Sequence, residues 1–173
     1  MFISLDILVL LMEIFEQQLE EAKKAVKTAD HLAYITYPIV LDNKLMLLII
    51  ENIYSALLKT MDSFLNYDKY YKRIPVVPEK IDEKISVFRS EICKRYNISS
   101  DIVLMAKDLK TITETRKNSN MEFFRKNEIV IVAEEFTRVK TLNLKKVKDY
   151  INATKLLVNK ADSIIKNARR FWR

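Results

Sequence analysis

Apolar side chains recur at Leu8, Met12, Phe15, Leu19, Ala22, Val26, Ala29 and Ala33, in alternating steps of four and three. Such steps put all of these positions on one side of a helix, which turns once per 3.6 residues. The pattern predicts a first helix within residues 1–36, regular from Ser4 to Tyr34. Tyr37-Pro38 is expected to end it, because a proline pushes the preceding residue away from helical backbone. Asp42 reads as the N-cap of a second helix within 40–66, whose seam is Leu45, Ile49, Ile53, Ala56, Leu57, Thr60 and Phe64. Two long helices with so short a link should pack antiparallel as a hairpin.

The next stretch, NYDKYYKRIPVVP, mixes tyrosines, basic residues and prolines, and predicts a loop over 67–78. Third and fourth helices are expected over 79–115. The third carries Ile81, Ile85, Phe88 and Ile92 and ends near Tyr96-Asn97. Ser99 or Ser100 caps the fourth, whose seam is Ile102, Met105, Leu109 and Ile112. Residues 116–128 read as a loop. Ile129 to Ala133 (IVIVA) is either a short extended segment or the start of another helix. The last helix, over 140–171, has the clearest seam: Leu144, Val147, Ile151, Thr154, Val158, Ala161, Ile165 and Ala168. Tyr150, Leu157, Ile164 and Phe171 widen it beyond what one antiparallel neighbour covers. A bundle core, or a bundle dimerising through its outer helices, would bury so wide a stripe.

Composition narrows the fold. The 173 residues include no glycine. Rossmann loops and P-loops depend on glycine, so nucleotide sites of those kinds are excluded, and many-stranded β folds become implausible. The expectation is one domain, 1–173, an all-α antiparallel bundle of about five helices, with at most a short extended segment at 129–133. The Lys-, Glu- and Ile-rich, Gln-poor composition matches that of proteins from hot or AT-rich sources. A single cysteine, Cys93, leaves no internal disulfide and suits a reducing cytoplasm. The apolar N-terminal run is interrupted by Asp6 and Glu13, so it is expected neither to span a bilayer nor to act as a signal peptide.

Charge is unevenly spread. Residues 1–66 carry net −4, 67–137 net +2 and 138–173 net +9, within a total of +7. Lys145, Lys148, Lys155, Lys160, Lys166, Arg169, Arg170 and Arg173 make the last helix a basic face that attracts phosphate backbones or acidic partners.

The most conspicuous polar stretch is TRKNSNMEFFRKNE, Thr115 to Glu128. Arg116 continues the seam of the fourth helix at its C-terminus, where a cation is favoured by the helix dipole. Glu122 is its nearest expected acid partner and Glu51 a more distant one. The alternative role for Arg116 is to grip an anionic ligand, with Lys117, Asn118, Ser119, Asn120, Glu122, Arg125 and Lys126 completing a binding loop.

Helices in an antiparallel bundle with a polar-Arg motif near the end of a late helix resemble the HEPN superfamily. The segments DHLAYITYPIVLDNKLMLLIIENIYSALLKTMDSFL and TRKNSNMEFFRKNEIVI carry the resemblance, which covers most of residues 25–170. It implies a helical bundle that commonly dimerises, with RNA or nucleotides as ligands. The ribonuclease motif of that family is an arginine followed, after four to six residues, by a histidine. Arg116 matches, but Met121, Glu122 and Phe123 stand where histidine is required. RNA cleavage benefits from a base of pKa near 7, and the cations around Glu122 would hold its pKa down. The only histidine, His31, lies on the first helix.

A cleaving enzyme is therefore not expected, nor a zinc site built from one histidine and one cysteine, nor a cofactor. Two main functional readings remain, beside a third, a residual phosphotransfer or nuclease enzyme. The first is a non-cleaving, cytoplasmic, HEPN-like homodimer that binds RNA or another phosphate-bearing ligand. It rests on the basic last helix, the Arg116–Lys126 stretch and the tyrosines beside basic residues at Tyr67–Arg73. The second is a protein–protein assembly module, a partner of an enzyme encoded nearby, with surplus apolar surface in its N-terminal turns.

Overall fold

The computed structural model describes residues 5–117, 121–125, 128–132 and 139–170. Helix α1 spans Leu5–His31 and passes through a π-helical segment, Leu32–Thr36, into the short α2, Tyr37–Val40. Helix α3, Lys44–Tyr70, returns along α1 as the second arm of a hairpin. Then follow α4, Ile81–Val87, a second π segment, Phe88–Cys93, and α5, Asp101–Lys117. Strands β1, Met121–Arg125, β2, Glu128–Val132, and β3, Val139–Asn143, lead into α6, Leu144–Arg170. The molecule is an all-α helical bundle with a small sheet attached. No helix among the described residues is long and apolar enough to cross a membrane.

The core lies between α1, α3 and α6. The seam positions Phe15, Leu19, Ala22, Val26, Ala29 and Ala33 are all buried, as are Ile49, Ile53, Leu57 and Phe64 opposite. Burying a side chain the size of Leu57 contributes about 1.5–3 kcal/mol. Alanines on α1 and the buried Ser63 let the two backbones approach, and the Ser63 hydroxyl donates to the Phe15 carbonyl at 2.8 Å. Phe64 meets Phe88 edge-on, with ring centroids 5.9 Å apart. Val147, Ile151, Thr154, Val158, Ala161 and Ile165 of α6 are buried as their spacing requires.

Several boundaries differ from the sequence expectation. Pro38 does not end the first helix. It stands in the first turn of α2, where a missing N–H costs nothing. The widened π turn before it, in which the Tyr37 N–H bonds the Leu32 carbonyl, shifts the carbonyl that the ring would strike. Asp42 acts as expected, its Oδ1 accepting the Lys44 N–H at 2.9 Å. Helix α3 runs through Tyr70, so the first third of the expected 67–78 loop is helix. The cause is packing: Phe64, Leu65, Tyr67 and Asp68 are buried at helical spacing. Ser99, rather than Ser100, caps α5, accepting the Asp101 N–H at 3.2 Å.

The largest difference is the sheet. The sequence reading allowed one short extended segment at 129–133, whereas three antiparallel strands form in the order β1-β2-β3. Within the expected loop 116–128, Arg116 and Lys117 belong to α5, Met121–Arg125 to β1 and Glu128 to β2. Residues 140–143, expected to begin the last helix, belong to β3. Asn143 starts α6 instead, its Oδ1 accepting the Lys146 N–H at 2.8 Å. Ile129, Ile131 and Leu142 are buried on the inner face of the sheet, where β2 packs on α5.

Candidate functional site

Of the eight residues expected to form a binding loop, Arg116 and Lys117 lie on α5 and Glu122 and Arg125 on β1. Arg116, on the last turn of α5, is half-buried and pairs with Glu51 of α3, the acid expected to be the more distant partner. Lys117 is exposed beside it. Glu122 stands opposite Ile131 and Arg125 opposite Glu128 in the β1–β2 ladder. Asn118, Ser119, Asn120 and Lys126 lie outside the described residues.

The tyrosine-rich stretch is also not a stacking platform. Tyr67 is buried, with Phe15 at 5.4 Å and Tyr71 at 4.9 Å between centroids. Desolvation pushes its hydroxyl pKa up to about 12. Its neighbour Asp68 is buried and fully engaged. Arg73 Nη1 donates to it at 3.2 Å, the Tyr96 hydroxyl at 2.5 Å, and Arg95 completes the set. The Arg73 guanidinium also lies over the Tyr71 ring at 5.0 Å. These aromatics and cations hold the α3 terminus onto the segment after the second π turn.

Several cations of α6 are answered, two of them by acids that lie far away in sequence. Lys155 pairs with Asp30 at 2.5 Å and Lys166 with Asp162 at 2.5 Å, while Asp162 also takes Lys23 at 2.6 Å. Lys160 donates to the Asn97 carbonyl at 2.8 Å. Asp108 of α5 gathers Lys140 at 2.9 Å, Lys146 at 2.7 Å and the Tyr150 hydroxyl at 2.5 Å. Burial pushes the Asp108 carboxyl up, but those hydrogen bonds outweigh it and hold the pKa at about 2. Tyr34 differs from the buried tyrosines. It is exposed, with Lys148 Nζ at 4.7 Å and Lys155 Nζ at 5.9 Å from its ring centroid.

Two further surfaces escaped the sequence reading. One is the tip of the α1–α3 hairpin, where Ile35, Ile39, Val40, Leu41 and Leu48 are all exposed, Ile39 to 77% and Leu41 to 69%. Leu41 also holds a left-handed backbone, φ 56°. A side chain with a Cβ costs about 1–2 kcal/mol in that region. The available signal was the run YITYPIVL, which exceeds what a hairpin end needs to fill. The other surface is a groove of about 490 Å³ lined by Ser86, Arg89, Ser90, Cys93, Lys94, Ile98 and Ser100.

His31 is exposed at the end of α1, and Cys93 is a buried free thiol whose pKa is raised by desolvation. Among the described residues, no three His, Cys, Asp or Glu side chains come together as a metal-binding group. No family model, curated protein or solved structure matches the chain.

Proposed function

We propose that this protein is a protein–protein assembly module that docks the tip of its α1–α3 hairpin, in the simplest case against a second copy of the chain. The observation that carries this reading is the exposed cluster Ile35, Ile39, Val40, Leu41 and Leu48. Contiguous apolar surface of this kind marks interaction sites in folded proteins. Leu41 adds weight, because at that point a leucine gains nothing from burial and loses energy in its backbone. Asp42 and Lys44, both exposed, flank the cluster with opposite signs. A two-fold interface brings one patch against its own copy and pairs the two charges. Alkylation of a Val40→Cys variant tests this, since Cys93 is buried and contributes little background. The rate falls as protein concentration rises if the tip is covered, whereas a rate independent of concentration contradicts the reading.

A second reading is supported by Tyr34. An exposed ring flanked by two lysines suits a base of single-stranded RNA, with phosphates on the cations. This is the non-cleaving, HEPN-like reading, relocated from the Arg116 stretch to the junction of α1 and α6. Fluorescence anisotropy of a labelled single-stranded RNA at two salt concentrations is its test, followed by a denaturing gel. The reading expects intact RNA, affinity that falls steeply with salt, and a loss of about tenfold in Tyr34→Ala. Salt-insensitive binding, or cleaved RNA, rejects it.

A further inference from the structure

The groove beside the second π segment has no part in either reading. Ser86, Arg89, Ser90, Cys93 and Lys94 follow the i, i+3, i+4, i+7, i+8 spacing that lines one face of a helix. The π segment Phe88–Cys93 supplies three of them, and π turns recur at functional sites. Ile98 and Ser100, from the connection into α5, close the far wall.

Two features of this groove favour an anion. Its cations are uncommitted. Among the described residues, neither Arg89 nor Lys94 takes part in an ion pair, whereas Arg116, Arg95, Arg73, Lys146 and Lys155 all do. Its lining also contains no carboxylate. A smaller adjoining hollow of about 190 Å³ shares Ser86 and Arg89 and adds Lys107 and Asp82. The carboxylate of Asp82 is already occupied by Lys110, both oxygens lying 2.6 Å from its ammonium. Asp101 stands at the start of α5, where its Oδ2 accepts the Ser99 hydroxyl at 2.9 Å.

We infer that this groove binds a small phosphate monoester. A guanidinium offers two parallel N–H donors to phosphoryl oxygens, an ammonium adds charge, and the Ser86 and Ser100 hydroxyls donate hydrogen bonds around them, while the Ser90 hydroxyl donates to the Val87 carbonyl at 3.3 Å. The volume falls within the range of small-molecule sites, about 300–1,000 Å³. Cys93 and Ile98 give the organic part an apolar floor, and Cys93 takes part as a neutral thiol. No aromatic ring lines the groove, so it reads the phosphate and a compact aliphatic body rather than a stacked nucleobase.

Isothermal titration of the full chain with glycerol phosphate, at fixed ionic strength set by chloride, tests the inference. Saturable binding is expected, weakened about tenfold or more in the Arg89→Ala/Lys94→Ala double variant and unchanged in Arg116→Ala. Both substituted residues of the double variant are exposed, so its thermal unfolding should match that of the wild type. If unfolding shifts, Arg89→Gln alone, which keeps the side-chain volume, decides by the same titration. Absence of saturable binding, or binding that survives loss of both cations, overturns the inference. Neither result bears on whether the hairpin tip assembles, because the two surfaces share no residue.

Discussion

Leu41 and Asp108 show at single positions how this chain commits its side chains. Leu41 is exposed in a conformation that favours glycine, within a chain that has no glycine. Asp108 is the reverse, an acid on α5 drawn into a cluster with Lys140, Lys146 and Tyr150. The sequence displays a basic α6 but not that Asp108 answers Lys146 and Asp30 answers Lys155, because those pairs join residues far apart along the chain. Arg116 was legible as a candidate for the same reason that it is not a free site: an arginine continuing an apolar seam must find an acid, and Glu51 provides it. The depressed Asp108 pKa has a consequence at low pH. A carboxyl at about 2 in the fold, against about 3.9 unfolded, contributes at most about 2.6 kcal/mol, present above the unfolded value and lost as pH falls through the folded one. Urea unfolding of Asp108→Asn should therefore show a loss of about 1–2 kcal/mol at neutral pH that shrinks towards pH of about 2. Equal stability of variant and wild type at neutral pH would show that the cluster contributes nothing.

Elements were legible where one face is buried over many turns. The seams of α1, α3, α5 and α6 follow helical spacing strictly, because each long helix packs along a neighbour over most of its length. Short elements depend on their surroundings. Strand β1, MEFFR, has no alternation that separates it from a loop, and it pairs because β2 presents a complete ladder edge. Val139–Asn143 reads as a plausible first turn of α6, yet its backbone bonds go to β2 and Asn143 takes the cap. Pro38 misled for a related reason. The rule that proline ends helices assumes an α turn before it, and a π turn removes the clash. The groove lining was present as a helical stripe of serines and cations. That stripe looked like a solvated face until the connection from Ile98 to Ser100 closed over it.

At the scale of the molecule, charged side chains pair across the bundle and apolar ones fill its middle, and the hairpin tip is a conspicuous exception. The hairpin tip leaves five aliphatic side chains in water where a self-contained bundle would place polar ones. The proposed function rests on that exception, and sedimentation of the wild type and Ile39→Glu over a range of concentrations tests it most directly. Ile39 is 77% exposed, so a glutamate there should leave the monomer fold and its circular dichroism unchanged. A wild type that shifts from monomer to dimer as concentration rises, beside a variant that stays monomeric, is the predicted result. Identical sedimentation of the two proteins at every concentration would contradict it.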